Sequence, residues 1–164
     1  LTHAEPMPDL PSPELLADEP DATRTADERS RTWHARSRPF SLRTAASDRS
    51  VGGLNAVWIR YKVRVPADPR LHAALLAYAS DMSFVSTAFM PHGSRRERGN
   101  VQIASLDHAL WFHRPFDAGD WLLYVKDSPA AAGARGYNRG SFYARDGKLI
   151  ASTMQEGLMR PATA

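Results

Sequence analysis

The strongest constraint on the fold is a change in the spacing of apolar residues near the middle of the chain. Within Val57–Val65, apolar and polar residues alternate, which is typical of a strand with one buried face. Asp68 and Pro69 then form a good N-cap and first-turn pair. After them, apolar residues recur at every third or fourth position until Pro91 stops the pattern; they are Leu71, Leu75, Tyr78, Met82, Val85 and Phe89. The sequence therefore predicts one helix of roughly twenty residues, from about Arg70 to about Phe89.

Everything after this helix has the pattern of strands. The candidate strands are Val101 to Pro115, Trp121 to Ser128, Gly133 to Ala144 and Leu149 to Met159, and a short one at Pro39 to Arg43 precedes the helix. Asp146-Gly147 lies at the tip of the last hairpin, where this pair is a strong turn signal. We interpret Gly136 and Gly140 as bulges or bends. The predicted class is α+β, with one long central helix packed on a curved antiparallel β-sheet.

The first 36 residues have the composition of a tether. Five prolines interrupt any long helix there, and acidic residues are frequent. Pro13 can begin one short helix through Leu15 and Leu16, since proline is tolerated in a first turn. We expect residues 1–36 to be a largely irregular inter-domain linker and residues 37–164 to form the folded domain.

Composition argues against several classes of function. The chain has no cysteine, which rules out disulfides, thiolate metal sites and a cysteine nucleophile and suits a cytoplasmic protein. Net charge is +3, and the basic cluster at Arg95, Arg96 and Arg98 has no interleaved aromatic residues, so nucleic-acid binding is not expected. This cluster is either a solvated loop or a contact for an anionic ligand. No stretch approaches the ~20 apolar residues that span a bilayer, and no signal peptide is recognisable.

Neither a metal site nor a hydrolytic triad is indicated. His108 and His113 lie five residues apart in one predicted strand and therefore on opposite faces, so no metal or other cofactor is predicted. A Ser-His-Asp triad could be drawn from Ser105, His108 and Asp81. However, no G-x-S-x-G elbow presents a nucleophilic serine, so this possibility ranks low.

Three polar residues occupy positions that pattern alone does not explain. Asp81 lies in the middle of the predicted helix among apolar neighbours, so it is either at the edge of the polar face or held inside for a reason. Gln155 lies in the last strand, and which face of that strand meets the helix stays open. Ser105 is by default a turn or edge residue. Structural and functional interpretations remain open for all three.

The most specific motif is the run from Ser105 through Asp107-His108-Ala109-Leu110-Trp111-Phe112-His113-Arg114-Pro115 to Phe116. It resembles a signature of the acyl-CoA thioesterase II family. Residues 78–81, 134–136 with 139–140, and 151–157 also match in order and spacing, so the resemblance extends from about Val57 to Arg160. Members of that family are double hot-dogs, which implies that residues 37–164 form the C-terminal hot-dog half. A second hot-dog domain would complete the unit, either a missing N-terminal half or another copy in a homo-oligomer.

The same resemblance implies an activity and its residues. The family hydrolyses fatty acyl-CoA to free fatty acid and CoA, and its catalytic aspartate, threonine and glutamine fall on Asp81, Ser105 and Gln155. The aspartate would accept a proton from water, and the hydroxyl and amide would fix that water's orientation. Ser105 is a departure: serine keeps the hydroxyl but loses the methyl group that stiffens the threonine rotamer.

The substrate contacts and the alternatives are less constrained. Arg95, Arg96 and Arg135 are the cationic candidates for binding CoA. One alternative function is a catalytically weak or inactive acyl-CoA-binding or assembly domain. Another is a hot-dog hydratase or dehydratase, which ranks last because no acidic-histidine pair has the spacing that such enzymes use.

Overall fold

A helical segment lies across one face of an antiparallel sheet. The computed structural model describes residues 2–19, 39–93 and 101–161. The elements are the 3₁₀ helix η1 (Pro13–Leu15), β1 (Phe40–Ser47), β2 (Asn55–Tyr61), α1 (Pro69–Asp81), the 3₁₀ helix η2 (Val85–His92), β3 (Val101–Ser105), β4 (Ala109–Phe112), β5 (Leu122–Ala132), β6 (Arg135–Tyr143) and β7 (Leu149–Pro161). The strand order is β1-β2-β5-β6-β7-β3, and β4 also pairs with β7.

The local start and turn signals are confirmed. The Asp68 carboxylate accepts the Arg70 backbone N–H at 2.9 Å, which caps the first turn of α1. In the last hairpin, Gly147 has φ 81°, a left-handed conformation that favours glycine. The Ala144 N–H donates to the Lys148 carbonyl at 2.9 Å across the same turn. These positions depend on adjacent residues alone, so the sequence predicts them well.

The helix is shorter than its apolar spacing predicts. α1 ends at Asp81, where the Met82 N–H donates to the Ala79 carbonyl at 3.1 Å. Ser83 then takes φ 60°, which interrupts the α-helical ladder. The chain continues as the separate 3₁₀ helix η2. Apolar spacing cannot distinguish one helix from two helical pieces that share a buried face. Asp81 is therefore the last residue of the helix and not its middle.

The buried face of α1 also differs from the predicted apolar stripe. His72, Leu76, Ala79 and Ser80 face the sheet. Leu71 and Tyr78, which belong to the predicted stripe, are 44% and 59% exposed. Small and hydrogen-bonded polar side chains permit a closer approach to the sheet than bulky ones do. Part of the apolar stripe is consequently left on the outer side of α1.

By length and composition alone, Pro69–His92 could cross a membrane. In the fold this stretch comprises α1 and η2, separated by the break at Ser83. Leu76, Ala79 and Phe84 of the stretch belong to the core against the sheet. The stretch therefore contributes residues to the core, and 39% of its most apolar window is buried inside the fold.

The predicted strand Val101–Pro115 is divided by a bulge. Ser105 pairs with Gly157 and Ala109 with Met154, so one strand advances by four residues where β7 advances by three. The Asp107 carboxylate accepts the Glu156 backbone N–H at 2.7 Å. It thereby replaces the carbonyl that an unbroken strand would supply. A single strand was predicted because this side-chain substitution depends on a residue far along the chain.

Gly136 and Gly140 are not at bulges, contrary to the prediction. A Cβ atom at Gly136 would overlap Ala88 of η2 and Met159, and one at Gly140 would lie 2.5 Å from a Tyr124 ring carbon. The register shifts of β6 fall elsewhere. These glycines permit close packing, at Gly136 of the helical segment against the sheet and at Gly140 of the Tyr124 ring.

Both faces of the sheet carry a core. The inner core lies under α1 and η2 and includes Phe40, Ile59, Leu76, Phe84, Tyr124 and Phe142. The outer core contains Trp58, Trp121, Leu123 and Tyr143, against which Met7, Leu10 and Leu16 pack. The Trp58 indole donates to the Pro11 carbonyl at 2.9 Å. Residues 2–19 are irregular apart from η1, which forms where the short helix was predicted, and they cover the outer face. That residues 1–36 tether two domains stays a prediction.

Candidate active site

Asp81, Ser105 and Gln155 lie together at the C-terminal end of α1. The Gln155 Nε2 donates to Asp81 Oδ1 at 2.5 Å, and the Ser105 hydroxyl reaches the same oxygen at 3.5 Å. Ser105 is paired with Gly157 on β7, two residues from Gln155, so both side chains point to the inner face. One helix end and two strands thus place a carboxylate, a hydroxyl and an amide around one point.

The Asp81 carboxylate is held on one side and open on the other. Its side chain is 54% exposed, and its Oδ2 atom has no hydrogen-bond partner within the described ranges. A carboxylate at the C-terminus of a helix faces the negative end of the helix dipole, which costs about 0.3–1 kcal/mol. Helix stability therefore does not account for an aspartate here. The free oxygen can accept a proton from a water molecule.

Gln155 is fixed by two acceptors. Its side chain is almost completely buried, and Nε2 lies 2.5 Å from Asp81 Oδ1 and 3.3 Å from His108 Nδ1. These contacts determine which end of the amide is the nitrogen. Its Oε1 is buried and has no partner among the residues that the structure describes. Leaving a buried acceptor unpaired costs about 1–3 kcal/mol, so Oε1 is available for a water or a substrate donor.

His108 belongs to this cluster, although the sequence analysis grouped it with Ser105 and Asp81 only as a low-ranked catalytic triad. Its Nε2 lies 2.8 Å from the Ser80 hydroxyl, which itself donates to the Ala77 carbonyl at 2.8 Å. Ser80 has one hydroxyl hydrogen, so it must accept from His108 Nε2–H, and Nδ1 is then the acceptor for Gln155. The available sequence signal for the bulge that orients His108 was the adjacent Asp107, a poor strand former inside a predicted strand.

The geometry does not support a Ser-His-Asp triad. Such a triad requires a hydrogen bond from the serine hydroxyl to the histidine. Ser105 instead reaches Asp81, and both His108 nitrogens are engaged by Ser80 and Gln155. No group of three histidine, aspartate or glutamate residues in the described part of the chain is placed to hold a metal ion.

The buried Tyr124 side chain holds the last turn of α1 against the sheet. The Tyr124 hydroxyl donates to the Ser80 carbonyl at 2.8 Å and lies 3.1 Å from the Thr153 hydroxyl. Burial raises the pKa of Tyr124, so the phenol keeps its proton and remains a donor. This contact ties the last turn of α1 to β5 and β7, and it fixes the backbone that carries Asp81.

Arg135, one of the three predicted substrate contacts, is not brought to this cluster. Arg135 is 55% exposed and its Nη1 lies 3.4 Å from Glu156 Oε2. Since Glu156 follows Gln155 in β7, its side chain points to the opposite face of the sheet. Arg95 and Arg96 lie outside the described residues. Substrate binding by these three arginines stays a prediction.

The Lys126 amine lies beside a small cavity at the C-terminal end of α1. This cavity has a volume of about 150 Å³ and is lined in part by Met82, Ser83 and Tyr124. The Lys126 Nζ lies 5.1 Å from the centre of the Tyr124 ring. Burial lowers the pKa of Lys126 from 10.5 to about 8, and the negative charge of Glu19 opposes that shift. The folded protein therefore favours the neutral amine more than the unfolded chain does.

Replacing Lys126 with methionine is expected to stabilise the protein at neutral pH. Below pH 8 the amine is charged in both the folded and the unfolded protein, so the folded protein carries the full free-energy cost of burying that charge. Between pH 8 and 10.5 only the unfolded chain binds the proton, so the wild type gains stability as pH rises. We expect a gain of about 1–2 kcal/mol at pH 7, after allowing for partial solvation, and almost none above pH 10.5. Urea unfolding at both pH values measures it. The exposed Lys148→Met is the control, and an equal, pH-independent change in both variants would contradict the prediction.

Comparison with known proteins gives a consistent set of relatives. The family model described as acyl-CoA thioesterase matches residues 29–158. The acyl-CoA thioesterase 2 of Haemophilus influenzae is 35% identical over 167 residues, covering 96% of this chain and 58% of that protein. The crystal structure of an acyl-CoA thioesterase II from Mycobacterium marinum is 34% identical with a TM-score of 0.78, covering 99% of this chain and 59% of that chain.

A more distant structure bears on the fold alone. A conserved protein with a hot dog fold from Alicyclobacillus acidocaldarius is 20% identical with a TM-score of 0.69, covering 99% of this chain and 58% of that one. With the closer structure, it confirms the predicted α+β hot-dog fold. The chain spans less than two thirds of the length of these relatives.

Proposed function

Because this chain belongs to the acyl-CoA thioesterase family, we propose that it hydrolyses fatty acyl-CoA to free fatty acid and CoA. Asp81 is the group that activates water in this proposal. The observation that supports it is the convergence of Asp81, Ser105 and Gln155, with the Gln155 amide 2.5 Å from the carboxylate. Its relatives carry the name thioesterase, and its inner face offers a carboxylate with an open oxygen.

The proposed reaction needs no covalent enzyme intermediate. Asp81 Oδ2 accepts one proton of a water molecule while its oxygen attacks the thioester carbonyl. Gln155 Oε1 and the Ser105 hydroxyl can each bind that water and orient it, which converts a bimolecular encounter into a positioned one. Collapse of the tetrahedral adduct breaks the carbon–sulfur bond. The departing thiolate then takes the proton that Asp81 holds, which regenerates the carboxylate.

Ser105 has a secondary part in this scheme. Its hydroxyl lies 3.5 Å from Asp81 Oδ1, at the long end for a hydrogen bond between two oxygens. Serine has more rotamer freedom than threonine, so it holds the water less firmly than Gln155 does. We therefore assign proton transfer to Asp81 and most of the positioning to Gln155.

The test is release of free CoA from palmitoyl-CoA, followed with a thiol reagent. We expect turnover by the wild type and its near-complete loss in Asp81→Asn. Equal rates in the two proteins would reject catalysis by Asp81. Palmitoyl-CoA binding without turnover by the wild type would support the non-catalytic acyl-CoA-binding alternative, which the short length of the chain relative to its relatives keeps open.

We also propose that a second hot-dog domain, here another copy of the chain, completes the functional unit. Trp111 on β4 is 48% exposed, and Tyr78 on α1 is 59% exposed. Within the described sheet, no strand pairs with the outer edge of β3 and β4. Exposed apolar residues beside a free strand edge favour association. The coverage of less than two thirds of each relative is consistent with a partner domain.

Light scattering after size exclusion should give a mass of at least twice the 18.2 kDa of the chain. Trp111→Glu places a charge in the proposed contact and is expected to yield the monomer. Leu15→Glu changes a side chain that is 79% exposed in η1, which contacts Arg43 of β1 at the other edge of the sheet, and it should leave the mass unchanged. A stable wild-type monomer at micromolar concentration would refute the assembly.

A further inference from the structure

We propose that a cleft at the far end of α1 binds the phosphorylated adenosine end of CoA. The inference rests on the proposed function, for which acyl-CoA is the substrate. The cleft lies between residues 60–67, the first turns of α1 and residues 112–120, and its volume is about 1040 Å³. That volume lies just above the usual range for ligand sites, roughly 300–1,000 Å³. Arg135, the one described residue of the three arginines that the sequence suggested for CoA, does not line it.

Charge in the cleft suits a phosphate group. Lys62, Arg64 and Arg114 line it together with Asp117 and Asp120. The Asp117 carboxylate is engaged by the Gly119 N–H at 2.8 Å, and Arg114 uses one N–H on the Leu149 carbonyl at 2.7 Å, which leaves further guanidinium donors. Arg64 is exposed, and no residue in the described ranges forms a hydrogen bond or ion pair with it. Its guanidinium is therefore free to pair with phosphate oxygens.

A histidine side chain adds one more hydrogen-bond donor to the cleft. The His72 side chain is 8% exposed and lines the cleft. Its Nδ1 accepts the Ala118 backbone N–H at 3.1 Å, so the neutral ring carries its hydrogen on Nε2. The Nε2–H group can therefore donate to a phosphate or ribose oxygen bound in the cleft.

Flat aromatic surface accompanies these charges. Phe112 and Phe116 line the cleft, and their rings are stacked with centroids 6.2 Å apart and planes 8° apart. Phe112 is 47% exposed. Purine bases stack on exposed aromatic faces of this kind. Phosphate donors and a stacking surface in one cleft match the two parts of a phosphorylated adenosine.

The position of the cleft fits the length of the substrate. His72 is nine residues before Asp81 in α1, which corresponds to about 14 Å along the helix. Phe112 is four residues after His108, which corresponds to about 13 Å along β4. Two independent elements therefore give the same separation between the cleft and the Asp81 cluster. The flexible pantetheine arm of CoA can bridge that distance.

Calorimetric titration of adenosine 3′,5′-bisphosphate into the full chain tests the cleft. Arg64→Glu is expected to weaken its binding about tenfold or more, because a charge-assisted contact becomes a repulsion. The matched control is Arg49→Glu, which makes the same charge change at an exposed position between β1 and β2 and should stay within about twofold of the wild type. Equal weakening by both variants, or no binding to the wild type at millimolar probe, would overturn the inference.

Kinetics separate this inference from the proposed function. Arg64→Glu should raise KM for palmitoyl-CoA with kcat unchanged, and it should not affect palmitoyl-pantetheine, which lacks the nucleotide. Asp81→Asn should bind the bisphosphate as the wild type does. If the wild type binds the bisphosphate through Arg64 but does not hydrolyse palmitoyl-CoA, the nucleotide site is supported and the proposed enzymatic activity is rejected. Hydrolysis that depends on Asp81 but not on Arg64 would retain the enzyme and reject the cleft.

Discussion

Substitution of Asp81 by asparagine is expected to lower kcat for palmitoyl-CoA by about 10²–10⁴-fold, the usual contribution of a positioned general base. Asparagine has the same shape, and its carbonyl oxygen can still accept the Gln155 N–H that now reaches Asp81 Oδ1 at 2.5 Å. What it lacks is a second oxygen that can take a proton from water. The loss should therefore appear in kcat with little change in KM.

Thermal unfolding distinguishes this chemical effect from damage to the fold. Removing a negative charge from the C-terminus of α1 relieves an unfavourable contact with the helix dipole, so Asp81→Asn should unfold at the wild-type temperature or slightly above it. Asp9→Asn removes an exposed carboxylate from the N-terminal segment and should leave both kcat and unfolding temperature unchanged. Retention of full activity by Asp81→Asn would exclude the proposed mechanism.

Substitution of Gln155 by methionine is expected to lower kcat by about 10²-fold. Methionine has a similar length and suits a buried site, but it removes the donor to Asp81 and the unpaired acceptor Oε1. The carboxylate would then lose its tightest contact, and a loss of positioning of this kind has a cost of that order. Stopped assays of CoA release at saturating substrate measure the change.

Two comparisons make the Gln155 result interpretable. Ser105→Ala removes only the 3.5 Å contact and should reduce kcat much less, by roughly tenfold or below. Gln155→Met should also show an unchanged KM, since the amide is placed to orient water and not to bind the acyl chain. A rise in KM with kcat preserved would indicate that Gln155 binds the substrate and does not orient the water.

Residues adjacent in sequence account for what could be predicted about the fold. The cap at Asp68 and the turn at Gly147 each depend on a few neighbouring residues, and both form where expected. The break at Ser83 and the bulge at Asp107 depend on remote contacts. Asp107 binds the Glu156 N–H, a partner that no local pattern connects to it. The periodicity was right about which segments are helical or extended and wrong about where they stop.

The candidate site was predictable in part. Pattern alone left Asp81, Ser105 and Gln155 ambiguous, and the family resemblance singled them out. Ser105 and Gln155 share the inner face through the register of β3 with β7, and the one-residue bulge after Ser105 brings His108 to the same face, where it contacts Ser80. A single added residue in one strand reverses side-chain direction beyond it. The contacts of His108 with Ser80 and Gln155 could not be predicted without that register.

The covering of the outer face by the first residues of the chain has a consequence for the order of folding. Glu14 binds Arg145 with two contacts of 2.7 and 3.0 Å, and the two residues are 131 positions apart. The N-terminal segment can therefore dock only after nearly the whole polypeptide has been synthesised. Contacts so distant in sequence slow folding, because a long loop must close first. The prolines of the N-terminal segment offset part of that entropic penalty, since each already restricts the backbone of the unfolded chain. The proline-rich N-terminal segment can therefore dock last, on a sheet that has already folded.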